Sequence, residues 1–177
     1  MSDRYSLSLP VSRDPVFDHG SPVLVFPHDP HELRQHVELL ARYFKWEGHF
    51  DHMQFEADEA VADPDFVRYE AWLFHVPAWD LATEDQGTPR RMIGACCFRW
   101  REWSDLEPGW SLDWIWLHPF ERDRGHLSKA WPAFEARYGA NFHVATPLSL
   151  AMQAFLIRRG HPAARPEQIE LEDDSRS

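Results

Sequence analysis

Three runs dense in β-branched and aromatic residues dominate the middle of the chain: VRYEAWLFHV at 67–76, MIGACCFRW at 92–100 and WSLDWIWL at 110–117. Such runs, bounded by segments with Pro, Asp and Glu, read as strands. The connections, 77–89 and 101–108, are polar and short, which predicts an antiparallel meander. Everything else in the chain must pack against that sheet. Strict alternation would place Leu112, Trp114 and Trp116 on one face of the third strand and Asp113, Ile115 and Leu117 on the other. Asp113 interrupts an otherwise apolar strand, which is costly without a partner.

Helical patterns flank the meander. Residues 22–26 (PVLVF) read as a short buried strand. Asp29-Pro30-His31-Glu32 then signals a helix start, with Asp29 as cap, Pro30 in the first helical position and Glu32 bonding back. Leu33, Val37, Leu40, Ala41 and Phe44 mark the apolar face of that helix through about Phe44. After the third strand, Leu127, Ala130, Trp131, Phe134 and Tyr138 share one face of a helix ending near Gly139. Residues 141–145 read as a short strand and 147–159 as a further helix. Its stripe is Leu148, Ala151, Met152, Phe155 and Leu156, and Gly160 stops it. The expected fold is α+β, a mixed, largely antiparallel sheet flanked by helices. At 177 residues one domain is expected. It spans 21–165, after an irregular arm at 1–20 and before a flexible acidic tail at 166–177 with a short edge strand near Ile169.

Charge and composition narrow the function classes. Eighteen basic residues against 29 acidic give −11, which argues against nucleic-acid binding. The excess suits a cationic substrate or simply a soluble acidic surface. No apolar run approaches the roughly 18 residues that cross a bilayer, and the first residues lack a signal pattern. A cytoplasmic protein without a membrane partner is expected. Cys96 and Cys97 are neighbours whose side chains point to opposite faces, so they read as buried small hydrophobes rather than a disulfide. His49 and His52 could share a helical face near Glu47, but no second ligand pair follows, so no metal is expected.

The stretch from the third strand into the next helix concentrates the chemistry. A strand passes through a basic, Gly-containing turn, with Arg122, Arg124 and Gly125, into a helix start. Free backbone N–H groups, the positive end of the helix dipole and the arginines together suit a phosphate.

The spacing of Leu117, Pro119, Arg122 and Gly125 resembles the strand-to-helix motif of the GCN5-related N-acetyltransferase superfamily. Leu127 departs from it, standing where a small residue is usual. The resemblance extends in element order over roughly residues 20 to 161. SLAMQAFLIRRGH is similar to the superfamily's last helix, with Ser149 where Asn is usual, Gly160 matching and His161 in place of an aromatic residue.

The resemblance implies transfer of an acetyl or other acyl group from acetyl (acyl) coenzyme A to an amine of a small molecule or protein. A homodimer is allowed for. The amides of Arg124, Gly125, His126, Leu127 and Ser128 would cradle the pyrophosphate, with charge from Arg122 and Arg124. The strand edge at Ile115, Trp116 and Leu117 would pair with the pantetheine arm, and Ser149 and Phe155 would complete the cofactor site. Asp113 is the first candidate for the base, with Glu70 and His118 as alternatives. The tyrosine that usually reprotonates the thiolate is replaced by Leu156, beside Phe155, so water, Ser149 or His161 would substitute. A domain of this fold that binds coenzyme A or a partner protein without catalysis is the alternative.

Overall fold

The computed structural model describes residues 7–164. Its elements are β1 (Val11–Ser12), β2 (Val23–Val25), α1 (His31–Gly48), β3 (Tyr69–Pro77), β4 (Arg90–Arg101), β5 (Gly109–Leu117), α2 (His126–Tyr138), β6 (His143–Val144) and α3 (Leu150–Arg159). The strands form one sheet in the order β2-β3-β4-β5-β6, with β1 also paired to β4. The expected meander is β3-β4-β5, antiparallel throughout, and only β6 joins in parallel. This is an α+β fold with an open, mostly antiparallel sheet between helices. Among the described residues no helix is long and apolar enough to cross a membrane.

Two cores result, one on each face. Leu33, Val37 and Leu40 of α1 pack over Ala71, Leu73, Ala95 and Cys97. Trp131 and Phe134 of α2 and Leu156 of α3 cover Trp72, Phe98 and Cys96 on the other side. Burying each large side chain contributes about 1.5–3 kcal/mol. The adjacent cysteines thus belong to different cores, both free and fully buried. Burial pushes the Cys97 thiol up to about 12 and raises Cys96 as well, so neither is a reactive thiolate.

The expected alternation along β5 fails at one residue. Cys97 pairs with Trp114, but Phe98 pairs with Leu112, leaving Asp113 as the inserted residue of a bulge. One extra residue reverses the facing of what precedes it. Leu112 therefore lies in the core under α2 and α3, whereas Trp114 and Trp116 lie under α1.

Smaller differences have local causes. Inside the expected irregular arm, β1 pairs with β4, and Phe17 sits fully buried in a 3-10 turn capped by Asp14. Asp29 does not cap α1, because its Oδ2 accepts the Phe26 N–H at 2.7 Å and Pro30 takes the cap position. The helix runs one turn past Phe44, to a left-handed cap at His49. Pro132 lies inside α2 and has no N–H to offer the Ser128 carbonyl. Arg159 Nη2, from the end of α3, donates to that carbonyl at 3.0 Å. The strand expected near Ile169 and the acidic tail fall outside the described residues.

Candidate functional site

The sheet parts beside the bulge. β6 pairs with β5 only at Ser111 and Leu112, and the Ala145 N–H donates to the Leu112 carbonyl at 2.9 Å. From there β5 continues alone on that side to Leu117, while the other chain turns into α3. The His118 N–H donates to the Ile93 carbonyl at 2.7 Å, with Leu117 opposite Gly94 and Trp116 opposite Ala95. Antiparallel alternation then aims the main-chain groups of Ile115 and Leu117 away from β4, into the gap. The cleft is about 820 Å³.

Its far wall is the start of α2. The turn into the helix is left-handed at Asp123 (φ 60°) and at Gly125 (φ 82°), and Gly125 caps the helix with no side-chain bond. The first helical bond is from the Lys129 N–H to the Gly125 carbonyl. The N–H groups of His126, Leu127 and Ser128 therefore have no acceptor within the helix, and all three residues line the cleft. A helix start without a capping side chain, beside a cavity, favours an anion there.

Of the expected cofactor residues, Ile115, Trp116 and Leu117 form the strand wall, Gly125, His126, Leu127 and Ser128 the helix start, and Ser149 and Phe155 the α3 wall. The two arginines lie differently. Arg122 grips Glu47 with both terminal nitrogens, at 2.7 and 2.6 Å, and its Nε donates to the Leu117 carbonyl at 2.9 Å. All three nitrogens are engaged, so Arg122 ties the end of α1 to the end of β5. Its hydrogen bond, with a second from the Trp116 indole, outweighs burial and holds the Glu47 carboxyl below the usual carboxylate range. Arg124 is exposed, 3.8 Å from Glu121, and is not among the cleft residues. A basic side chain that does line the cleft is Arg158, near the end of α3.

The candidate bases separate as well. Asp113 lines the cleft, paired with Arg101 and 3.8 Å from the Arg99 Nε. Glu70 does not. It lies buried beneath the last turn of α2, accepting hydrogen bonds from Arg137 and Tyr138. His118 is also outside the cleft lining, its Nδ1 accepting the Phe120 N–H at 3.2 Å. Burial lowers its pKa from the usual imidazole value.

On α3, Phe155 faces the cleft and Leu156 is fully buried, so neither supplies a proton. Ser149 Oγ accepts the Met152 N–H at 3.1 Å and keeps its own proton to donate. His161 lies buried against Trp131 and Phe142, off the cleft. Phe44, Glu47 from the extra turn of α1, and Phe50 just past the helix also line the cleft. The helical period marks Phe44 as apolar face but says nothing of Glu47 or Phe50, because their role depends on where the end of α1 meets β5.

Among the described residues no group of three His, Cys, Asp or Glu is placed to hold a metal ion. No known family model matches the chain, and no curated protein matches it either.

Proposed function

We propose that the chain is an acyl-CoA-dependent N-acyltransferase with the fold of the GCN5-related N-acetyltransferase superfamily. One observation carries this reading: a parted β5–β6 pair and an α2 start without a side-chain cap share a single cleft. The spacing of Leu117, Pro119, Arg122 and Gly125 and the order of elements support it.

The α2 amides would hold the pyrophosphate of acetyl coenzyme A, each charge-assisted bond contributing about 1.5–3 kcal/mol. Arg158 adds positive charge at that end. The pantetheine amides would pair with the free edge of β5 at Ile115, as an added strand does. The acyl carbon then lies toward the bulge at Asp113. An ammonium acceptor gives up one proton to become nucleophilic, and Asp113 is the cleft carboxylate nearest the bulge. The nitrogen lone pair forms the C–N bond, the C–S bond breaks and sulfur leaves with its electron pair. The thiolate takes a proton from Ser149 or water, and the second proton leaving nitrogen restores that hydroxyl or water. The products are an amide, free coenzyme A and one proton.

Acetyl coenzyme A should raise the melting temperature of the chain, and an amine panel should release free thiol, with Asp113→Ala abolishing release but not binding. No shift at millimolar coenzyme removes the reading. A second reading, coenzyme or partner binding without turnover, draws on Phe155 and Leu156, neither of which can donate a proton. Binding with no thiol release across the panel would select it.

A further inference from the structure

The α3 wall of the cleft hangs from a short piece of sheet. β6, which leads into it, pairs with β5 at Ser111 and Leu112, and the Ala145 N–H adds one bond to the Leu112 carbonyl. Past that point side chains tie α3 to α2. Phe155 packs edge-on against Trp131, with ring centroids 4.9 Å apart. The Arg159 guanidinium lies over both rings, 5.0 Å from Phe155 and 5.7 Å from Trp131, and its Nη2 donates to the Ser128 carbonyl. Ring faces beneath a cation hold it in place better than solvent does. Ser128 and Phe155 line the cleft from its two helical walls, so one side chain touches both. The carbonyl is free to accept because Pro132, four residues on, has no N–H to fill it.

We infer that Arg159 is a positioning residue: it stands in for the amide hydrogen that Pro132 lacks and thereby sets the gap between the α2 start and α3 into which the coenzyme fits. Its effect on coenzyme rests on the transfer reading above, but the setting of the gap does not. Arg159 is not itself among the cleft residues, so it acts through Ser128 and Phe155. Proline at 132 and arginine at 159 form one device. An amide at 132 would satisfy the Ser128 carbonyl from within α2 and leave Arg159 without that task.

The test is a double-mutant cycle in the full chain. Arg159→Met keeps apolar cover on the two rings and loses the donor, and Pro132→Ala returns a donor within α2. One readout needs no coenzyme: the rate at which Met152→Cys, on the half-buried α3 wall of the cleft, reacts with N-ethylmaleimide. Cys96 and Cys97 are fully buried and stay silent. The other is acetyl coenzyme A affinity by calorimetry, with kcat from thiol release. Arg159→Met should speed labelling and weaken coenzyme by about fivefold each, the share of one hydrogen bond, and leave kcat within about twofold. In the Pro132→Ala background the same change should move neither readout by more than about twofold. If Pro132→Ala folds poorly, Arg159→Lys, which keeps a donor, should restore both readouts instead. Equal losses in both backgrounds, no rescue by Arg159→Lys, or a labelling rate untouched by Arg159→Met overturns the inference. So does a lower urea midpoint with both readouts unchanged, the mark of a purely stabilising contact. The expected labelling pattern in a chain that millimolar acetyl coenzyme A does not bind keeps Arg159 as the spacer and removes the transfer reading. Coenzyme bound equally by every variant does the reverse.

Discussion

Removing the Glu70 carboxylate separates a structural role from a chemical one. Glu70 is 7 % exposed. Its Oε2 accepts from Arg137 Nε and, at 2.7 Å, from the Tyr138 hydroxyl, and its Oε1 accepts from Arg137 Nη2 at 2.9 Å. Tyr138 in turn accepts the Trp72 indole N–H at 2.9 Å, so the carboxylate anchors the last turn of α2 to β3. Three bonds to a charged carboxylate would sum to about 4.5–9 kcal/mol if nothing replaced them. The Arg137 side chain is 40 % exposed, however, so water recovers much of its share. The lasting loss is the Tyr138 proton, left buried without an acceptor. We therefore expect Glu70→Ala to cost about 2–4 kcal/mol and Glu70→Gln, which keeps an acceptor for Tyr138, about half of that.

Urea unfolding at neutral pH should show both as lower midpoints with unchanged slopes. The pH dependence has a definite sign. Burial pushes the Glu70 carboxyl up, but the bonds from Arg137 and Tyr138 outweigh it and the pKa lies below the ordinary value. The stabilisation is then complete above the unfolded carboxyl pKa, about 4.3, and fades as pH falls through the lower folded value. The gap between the parent and Glu70→Gln should close in acid. A loss under about 0.5 kcal/mol for Glu70→Ala, or a gap that persists in acid, refutes the reasoning. So does a Glu70→Gln protein of near-parental stability whose thiol release falls by about a hundredfold or more, since that would place Glu70 in the chemistry.

Other outcomes follow from the same geometry. A Cβ on Gly94 would lie 2.5 Å from the Trp116 carbonyl oxygen and 2.5 Å from Leu117 Cδ2. Gly94→Ala should thus cost about 1–3 kcal/mol in urea unfolding and weaken coenzyme binding by shifting the strand wall. Arg122→Ala opens a half-exposed pair, so its stability cost should be about 1 kcal/mol, read from the urea midpoint. Because Arg122 spends its nitrogens on Glu47 and Leu117, this variant should still bind coenzyme measurably. His75, buried and bonded to the Gly20 carbonyl at 2.7 Å, has its pKa lowered by burial. It stabilises the fold fully above the unfolded histidine value, about 6.5, and that contribution is lost as pH falls toward the folded value. In an NMR titration the His75 ring should protonate at lower pH than an exposed histidine, and coincident titration would contradict this.

Much of the fold is legible in the residues because it depends on local composition and period. The runs at 67–76, 92–100 and 110–117 become β3, β4 and β5, and the stripe at Ala130, Trp131 and Phe134 becomes the buried face of α2. The bulge is not legible. Asp113 stands out as a polar interruption, but nothing in composition marks it as an inserted residue that moves Leu112 to the opposite core from Trp114. Nor is the fate of Arg122, whose partner Glu47 lies 75 positions earlier in the chain. A motif read along the sequence places a charge near a turn, but the closest available carboxylate decides where that charge is spent. Phe44 and Phe50 fall in the same class, since a helix pattern shows its own buried face and not which strand its last turn approaches.

The proline inside α2 has a bearing on how the cleft can move. Because position 132 offers no amide hydrogen, one carbonyl in the first turn of α2 stands open as a socket, and the last arginine of α3 plugs it. The two helices that border the cleft are in this way buttoned together at Ser128, a residue of the cleft lining. Any widening that swings α3 outward must first undo that button and leave a peptide oxygen to find water.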